Sequence, residues 1–131
     1  MVRLARSTGV AVVSAAPPPA QESFLNRLVL APMTFLGHVA FRELVGEFGG
    51  FGLLWTEMCN SRLIPRENPR LSAFFRCRRQ ELPRLVCQIF GSDPGTMAEA
   101  AKRIERESFF GVDINFGCSV GSICRQNCGA A

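Results

Sequence analysis

Four short apolar runs constrain this chain more than any other feature: Leu28 to Ala31, Gly52 to Glu57, Leu85 to Phe90 and Val112 to Phe116. Each is too short for a helix and reads as a strand, Leu28 to Ala31 as a buried parallel one. What lies between them supports this. Pro32 ends the first run, and Val39 to Phe48 follows as a helix with Val39, Leu44, Val45 and Phe48 on one face and Gly49-Gly50 as its stop. After the second run, Pro65, Pro69 and Pro83 force a long, partly irregular excursion. After the third, Gly91-Ser92 turns the chain, Asp93 caps the next helix with Pro94 at its first position, and Met97, Ala101 and Ile104 form the predicted buried face. The fourth run leads into Gly117-Cys118. Strands alternating with helices predict a parallel α/β sheet, in which sites gather at the carboxyl ends of the strands.

Composition narrows the function only a little. The 131 residues are 47% apolar and 20% charged, ordinary globular material. No apolar stretch approaches the roughly 20 residues that span a bilayer. The net charge of +4 is concentrated between Asn60 and Arg84, where seven arginines (62, 66, 70, 76, 78, 79 and 84) face only Glu67 and Glu81. That stretch is either a solvated loop or a phosphate-facing patch, a task that suits the guanidinium fork. The six cysteines lie in apolar, strand-like text rather than in a Cys-rich loop framework, which predicts reduced thiols in a cytoplasmic protein. Cys118, Cys124 and Cys128 lack paired zinc spacing and the only histidine is His38, so no metal site is expected. Residues 1–25, with Arg3, Arg6 and the run Ala15-Ala16-Pro17-Pro18-Pro19, read as a disordered extension rather than a targeting signal. There is no GxGxxG and no Walker-type phosphate loop.

The predicted strand ends carry polar or reactive residues: Ala31-Pro32-Met33, Thr56-Glu57-Met58, Gln88-Ile89-Phe90-Gly91 and Asn115-Phe116-Gly117-Cys118. Together with Phe41-Arg42, Phe48-Gly49, Ser92-Asp93-Pro94 and Gly129-Ala130-Ala131, they make the chain from about residue 26 onward resemble the tRNA-dihydrouridine synthases, flavin enzymes on a TIM (β/α)8 barrel. A full barrel has eight units and about 250 residues. About four units are present, so the resemblance implies the N-terminal half of an FMN-binding barrel over residues 26–131. Its open strand edges would favour self-association or a partner half.

The resemblance also implies a chemistry. Uridine in tRNA is reduced to 5,6-dihydrouridine by a hydride from FMN, itself reduced by NADPH or NADH, and a proton reaches the other carbon from a separate donor. An ordinary thiol, with a pKa of about 8.5, is protonated at neutral pH and can serve. Cys118 stands at the family's catalytic cysteine, Pro32, Met33 and Thr34 where backbone lies along the flavin, and Gln88 where an amide bonds the ring edge. Asn115 stands near the target uracil, or simply caps its strand. Arg42 and Glu57 occupy motif positions that a buried ion pair or a rim hydrogen bond would explain equally well. Cys59, Cys77 and Cys87 read as inert buried thiols. Two positions depart from the family: Gly37-His38 replaces its Thr-Asp, which makes His38 a loop residue, and Ser119 and Ser122 replace the Pro and Lys after the cysteine. The alternatives are a dihydroorotate-dehydrogenase-like flavin enzyme and an inactive half-barrel that needs a partner.

Overall fold

The computed structural model describes residues 27–131, and the reading of residues 1–25 as a disordered extension lies outside them. In chain order the elements are β1 (Val29–Leu30), α1 (Val39–Phe48), β2 (Leu53–Trp55), β3 (Cys59–Asn60), β4 (Leu85–Phe90), α2 (Pro94–Arg106), β5 (Gly111–Ile114) and a single helical turn, α3 (Gly121–Cys124). Two 3-10 turns, Ile64–Arg66 and Leu82–Arg84, punctuate the long excursion.

Every strand pairing is parallel, and β4 is the centre. All six of its residues are buried, as a strand covered on both faces requires. On one side it pairs with β2 (Trp55 opposite Val86) and then β3 (Asn60 opposite Phe90); on the other it pairs with β5 (Gln88 opposite Asp113). β1 lies beyond β2, so successive strand units are spatial neighbours, the order a (β/α)8 barrel uses.

The second run was expected as one strand, Gly52 to Glu57, but pairing stops at Trp55 and resumes at Cys59. The buried Thr56 is the reason. Its N–H donates to the Val86 carbonyl as the ladder demands (3.0 Å), but its hydroxyl, not its carbonyl, accepts the Gln88 N–H (3.1 Å). With the side chain in the carbonyl's place, the backbone bulges and Glu57 and Met58 leave the ladder.

The two faces of the sheet divide the chemistry, because alternate residues of a strand point to opposite sides. Leu54, Leu85, Cys87 and Ile89 pack with Ala100 and Ile104 of α2 and with Ile64, Phe75 and Phe109 into the apolar core. The opposite face carries Trp55, Val86, Gln88 and Asp113.

α2 begins as expected: Asp93 accepts the Thr96 N–H at 2.8 Å, a bond that also holds the Asp93 carboxyl below its usual value, and Pro94 follows. Its buried residues are Ala100 and Ile104, so the predicted face is displaced from Ala101, which is only half-buried. For α1 the predicted span is observed but the predicted face is corrected: Leu44 and Phe48 are exposed, and the helix's one buried residue is Arg42.

Polar geometry, not apolar packing, anchors that helix. The Arg42 guanidinium donates to the Glu81 carboxylate (2.6 Å) and to the carbonyls of Gly37 (2.6 Å) and Arg76 (2.8 Å). It thereby ties α1 to the loop before it and to the excursion between β3 and β4. A charge this deeply buried is tolerated because every edge of its fork is used. Arg42→Met is expected to lower unfolding stability by about 3–5 kcal/mol in urea titrations, the range for breaking a buried pair. Arg42→Lys should restore only part of this, since an ammonium lacks the planar fork. An Arg42→Met variant within about 1 kcal/mol of the parent would contradict the assignment.

Candidate active site

The inner face of the sheet ends in a continuous chain of hydrogen bonds. Trp55 Nε1 and Gln88 Nε2 both donate to Asp113 Oδ2, at 3.0 and 2.7 Å. Gln88 Oε1 accepts from Asn115 Nδ2 at 3.0 Å, and the same amide nitrogen lies 3.0 Å from Met58 Sδ. Asn115 Oδ1 accepts the N–H groups of Gly117 (3.2 Å) and Cys118 (3.0 Å). Groups on β2, β4 and β5 thus fix the backbone that carries Cys118. The Asn115 backbone is itself held by the Ile89 carbonyl (2.9 Å), which extends the β4–β5 ladder to the turn.

The segment after Cys118 folds back beneath it. α3 returns Cys124, whose Sγ donates to the Cys118 carbonyl at 3.5 Å, and the Ala130 N–H donates to that carbonyl at 3.0 Å. Gly129 is required here: its φ is +68°, and a Cβ would collide with the Cys118 carbonyl oxygen.

Of the residues singled out from sequence, Gln88, Asn115 and Cys118 are brought together by this chain. Pro32 and Met33, both half-buried, and the exposed Thr34 lie at the end of β1, two strands from β4 or about 10 Å across the sheet. Their loop is tight: the Met33 carbonyl accepts the N–H groups of Leu36 and Gly37. The buried Glu57 carboxylate accepts the Phe35 N–H at 2.9 Å and so holds Phe35 at φ +63° with its ring exposed on the rim. Glu57 thus makes a rim hydrogen bond, while Arg42 makes the buried ion pair with Glu81 rather than with Glu57. His38 is the N-cap of α1, accepting the Phe41 N–H at Nδ1 (3.4 Å).

From sequence Met58 is one of the strand-end residues and Asp113 lies in the fourth run, but neither has a role there, and nothing local marks Trp55; an acid within an apolar strand does signal a polar partner. The partner follows from register, which places Gln88 opposite Asp113. The arginine-rich stretch does not face the rim as a whole. Arg62 lines a cleft of about 250 Å3 with Asn60, Phe90, Ser92, Gln126 and Asn127 at the carboxyl ends of β3 and β4. Arg78 instead pairs with Glu43 of α1, and Arg84 lies over the Phe51 ring near the start of β2. Among the described residues no group of His, Cys, Asp and Glu could hold a metal, and no helix is long and apolar enough to cross a membrane.

Parallel strands in consecutive order, α2 packed on one face and polar residues at the carboxyl ends define part of an α/β barrel domain, open among the described residues. Residues 29–131 match the family described as Dihydrouridine synthase (Dus). The chain is 37% identical over 108 residues to tRNA-dihydrouridine synthase B of Pseudomonas aeruginosa, covering 81% of this chain and 31% of that protein. It is 36% identical over 105 residues to a probable tRNA-dihydrouridine synthase of Aquifex aeolicus (77% and 31% covered). With the tRNA-dihydrouridine(16) synthase of Cupriavidus necator it shares 32% identity over 113 residues (81% and 34%). The chain belongs to the dihydrouridine synthase family, and it spans about a third of the length of these curated relatives.

The thiols differ in their surroundings. Cys118 and Cys124 are half-buried on the site side, whereas Cys59 and Cys87 are buried in the apolar core. Burial, with a smaller effect from Glu81, pushes the Cys77 thiol up to about 11, and burial also raises Cys87. Iodoacetamide on the native chain is expected to modify Cys118 and Cys124 before Cys59, Cys77 and Cys87, as read by peptide mass spectrometry. Because the folded chain keeps protons that the unfolded chain releases, stability should fall as pH rises from 9.0 through about 11. Urea midpoints that stay level across that interval, with Cys77→Ala and Cys87→Ala as controls, would contradict the burial effect.

Proposed function

We propose that this chain carries the cofactor edge and the proton donor for FMN-dependent reduction of uridine to 5,6-dihydrouridine in tRNA. Membership of the family and the activities for which its relatives are named support the reaction. The observation that carries the residue roles is the link from Gln88 through Asn115 to the Cys118 N–H.

The residues fit a flavin. Gln88 uses one N–H on Asp113 and one lone pair on Asn115, so its carboxamide keeps one donor and one acceptor for the edge of a heterocycle. Pro32, Met33 and Thr34 lie at a distance that a three-ring system bridges. FMN, reduced by NADPH or NADH, supplies the hydride when bound. Cys118 Sγ gives its proton to the other carbon of the uracil double bond. Asn115 is the positioning residue for that thiol. Its own contact to the uracil is made by the N–H that otherwise rests on Met58 Sδ, a weak acceptor that a uracil oxygen readily replaces. Arg62, exposed on the rim cleft, meets a tRNA phosphate. Among the described residues β1 and β5 are the outer strands, and their outer edges would take further barrel strands, in the same polypeptide or in a partner.

With FMN, NADPH and unmodified tRNA, nucleoside mass spectrometry is expected to show uridine gaining two hydrogens. Cys118→Ala should slow this by about 10²- to 10⁴-fold, the usual worth of a positioned acid. An undiminished rate would overturn the role of Cys118. Turnover of a free pyrimidine in place of tRNA would move the site to the dihydroorotate-dehydrogenase-like class, and a colourless chain that does not retain FMN would point to an inactive half-barrel. Arg62→Ala should reduce the salt dependence of tRNA binding by about one charge. An unchanged slope would remove Arg62 from the interface.

A further inference from the structure

We propose that Cys118 and Cys124 form a reversible redox pair, with Cys124 resolving oxidation of Cys118. The six cysteines are free thiols, but they are not equivalent. Cys59 and Cys87 lie on the helix-covered side of the sheet, with Thr56 Oγ1 between them at 3.9 and 3.8 Å. The Cys77 thiol is kept protonated by burial. Cys128 is buried and turned aside, its Sγ donating to the Gln126 carbonyl at 3.3 Å. Cys124 alone has a sulfur directed at Cys118, 3.5 Å from its carbonyl oxygen.

The local backbone makes closure easy. The Val120 carbonyl accepts the N–H groups of Ile123 (2.9 Å) and Cys124 (3.0 Å), a turn that brings position 124 back to position 118. A disulfide needs Cβ atoms about 3.5–4.5 Å apart. Closure requires rotation about the two χ1 angles and settling of α3, whose Gly121 and Ser122 are exposed. Cys118, meanwhile, stays anchored by Asn115.

The oxidant is a peroxide. The Cys118 thiol loses its proton, the thiolate attacks one oxygen of hydrogen peroxide, the O–O bond breaks, and the leaving hydroxide takes up that proton, so the products are the Cys118 sulfenic acid and water. Cys124 sulfur then attacks Cys118 sulfur, the S–O bond breaks, the oxygen leaves as a second water, and the Cys124 proton goes with it. Two thiols lose two electrons and two hydrogens, and one peroxide is reduced. A dithiol reverses the bond by exchange. In the reading given under Proposed function the oxidised Cys118 has no proton to give, so the pair would also silence catalysis. The pairing itself does not depend on that reading.

Trypsin separates the outcomes, because cleavage after Arg106 and Arg125 leaves Cys118 and Cys124 in one peptide and Cys128 in the next. After hydrogen peroxide and blocking of residual thiols, the 107–125 peptide of the native chain is expected two hydrogens lighter and unalkylated, and dithiothreitol should restore it. Cys128→Ser should leave this unchanged, whereas in Cys124→Ser Cys118 should proceed to sulfinic acid. A bond joining the 107–125 and 126–131 peptides would overturn the proposal. So would a Cys118 that resists peroxide, or one that gains two oxygens despite Cys124. None of these readouts uses flavin, tRNA or turnover, so their failure is distinct from failure of the proposed activity.

Discussion

A carboxamide in the middle of a fully buried strand has to find partners, and in this chain the partners it finds build the site. Gln88 lies on β4 and is only 6% exposed, so its side chain draws on protein partners. Its amide is shared between Asp113, directly opposite on β5, and Asn115, two residues further along. Asn115 in turn has no freedom to choose where it points, because its carbonyl oxygen takes two N–H groups of the turn that carries Cys118. The thiol's position is therefore inherited from strand register: a slip of one residue between β4 and β5 would turn Asp113 away from Gln88 and undo the sequence of bonds.

The outer side of the same sheet supports this arrangement with a different chemistry. There Leu85, Cys87 and Ile89 meet Ala100 and Ile104, and the apolar contact keeps β4 in place whatever the inner face does. α1 has no comparable apolar stripe and relies on the Arg42 fork, which reaches the loop before it and both the Arg76 and Glu81 parts of the excursion. The bulge at Thr56 connects the two sides. The Thr56 hydroxyl oxygen accepts the Gln88 N–H and so fixes the backbone of Gln88 from one strand, while Asp113 and Asn115 fix its side chain from another.

Much of this was legible in the sequence. The continuous run Leu85 to Phe90 announces a strand, Asp93-Pro94 the start of α2, and Gly49-Gly50 the end of α1; both glycines take positive φ. The strand ends placed Gln88, Asn115 and Cys118 on one rim. What could not be read were features that depend on long-range partners. Phe48 is large and apolar and so reads as buried, but exposure is decided by what packs opposite, and it is 84% exposed. For Arg42 nothing local separates an ion pair from a rim bond, because Glu81 is 39 residues away. The second strand reads as unbroken because no periodicity shows that a threonine hydroxyl will displace its own carbonyl from a ladder. The roles of Trp55 and Asp113 are illegible for the same reason: each depends on a neighbour supplied by another strand.

The central claim is that Gln88 holds Cys118 in place through Asn115, and amide hydrogen exchange in Gln88→Leu tests it most directly, since leucine keeps the bulk and removes only the polar links. The account predicts that the Gly117 and Cys118 amides exchange faster, by about tenfold for each 1.4 kcal/mol of lost anchoring, while the amides of Leu85 to Cys87 keep their protection. Unchanged protection at Cys118, with the Gln88 links gone, would show that the thiol is positioned by something else and would contradict the account.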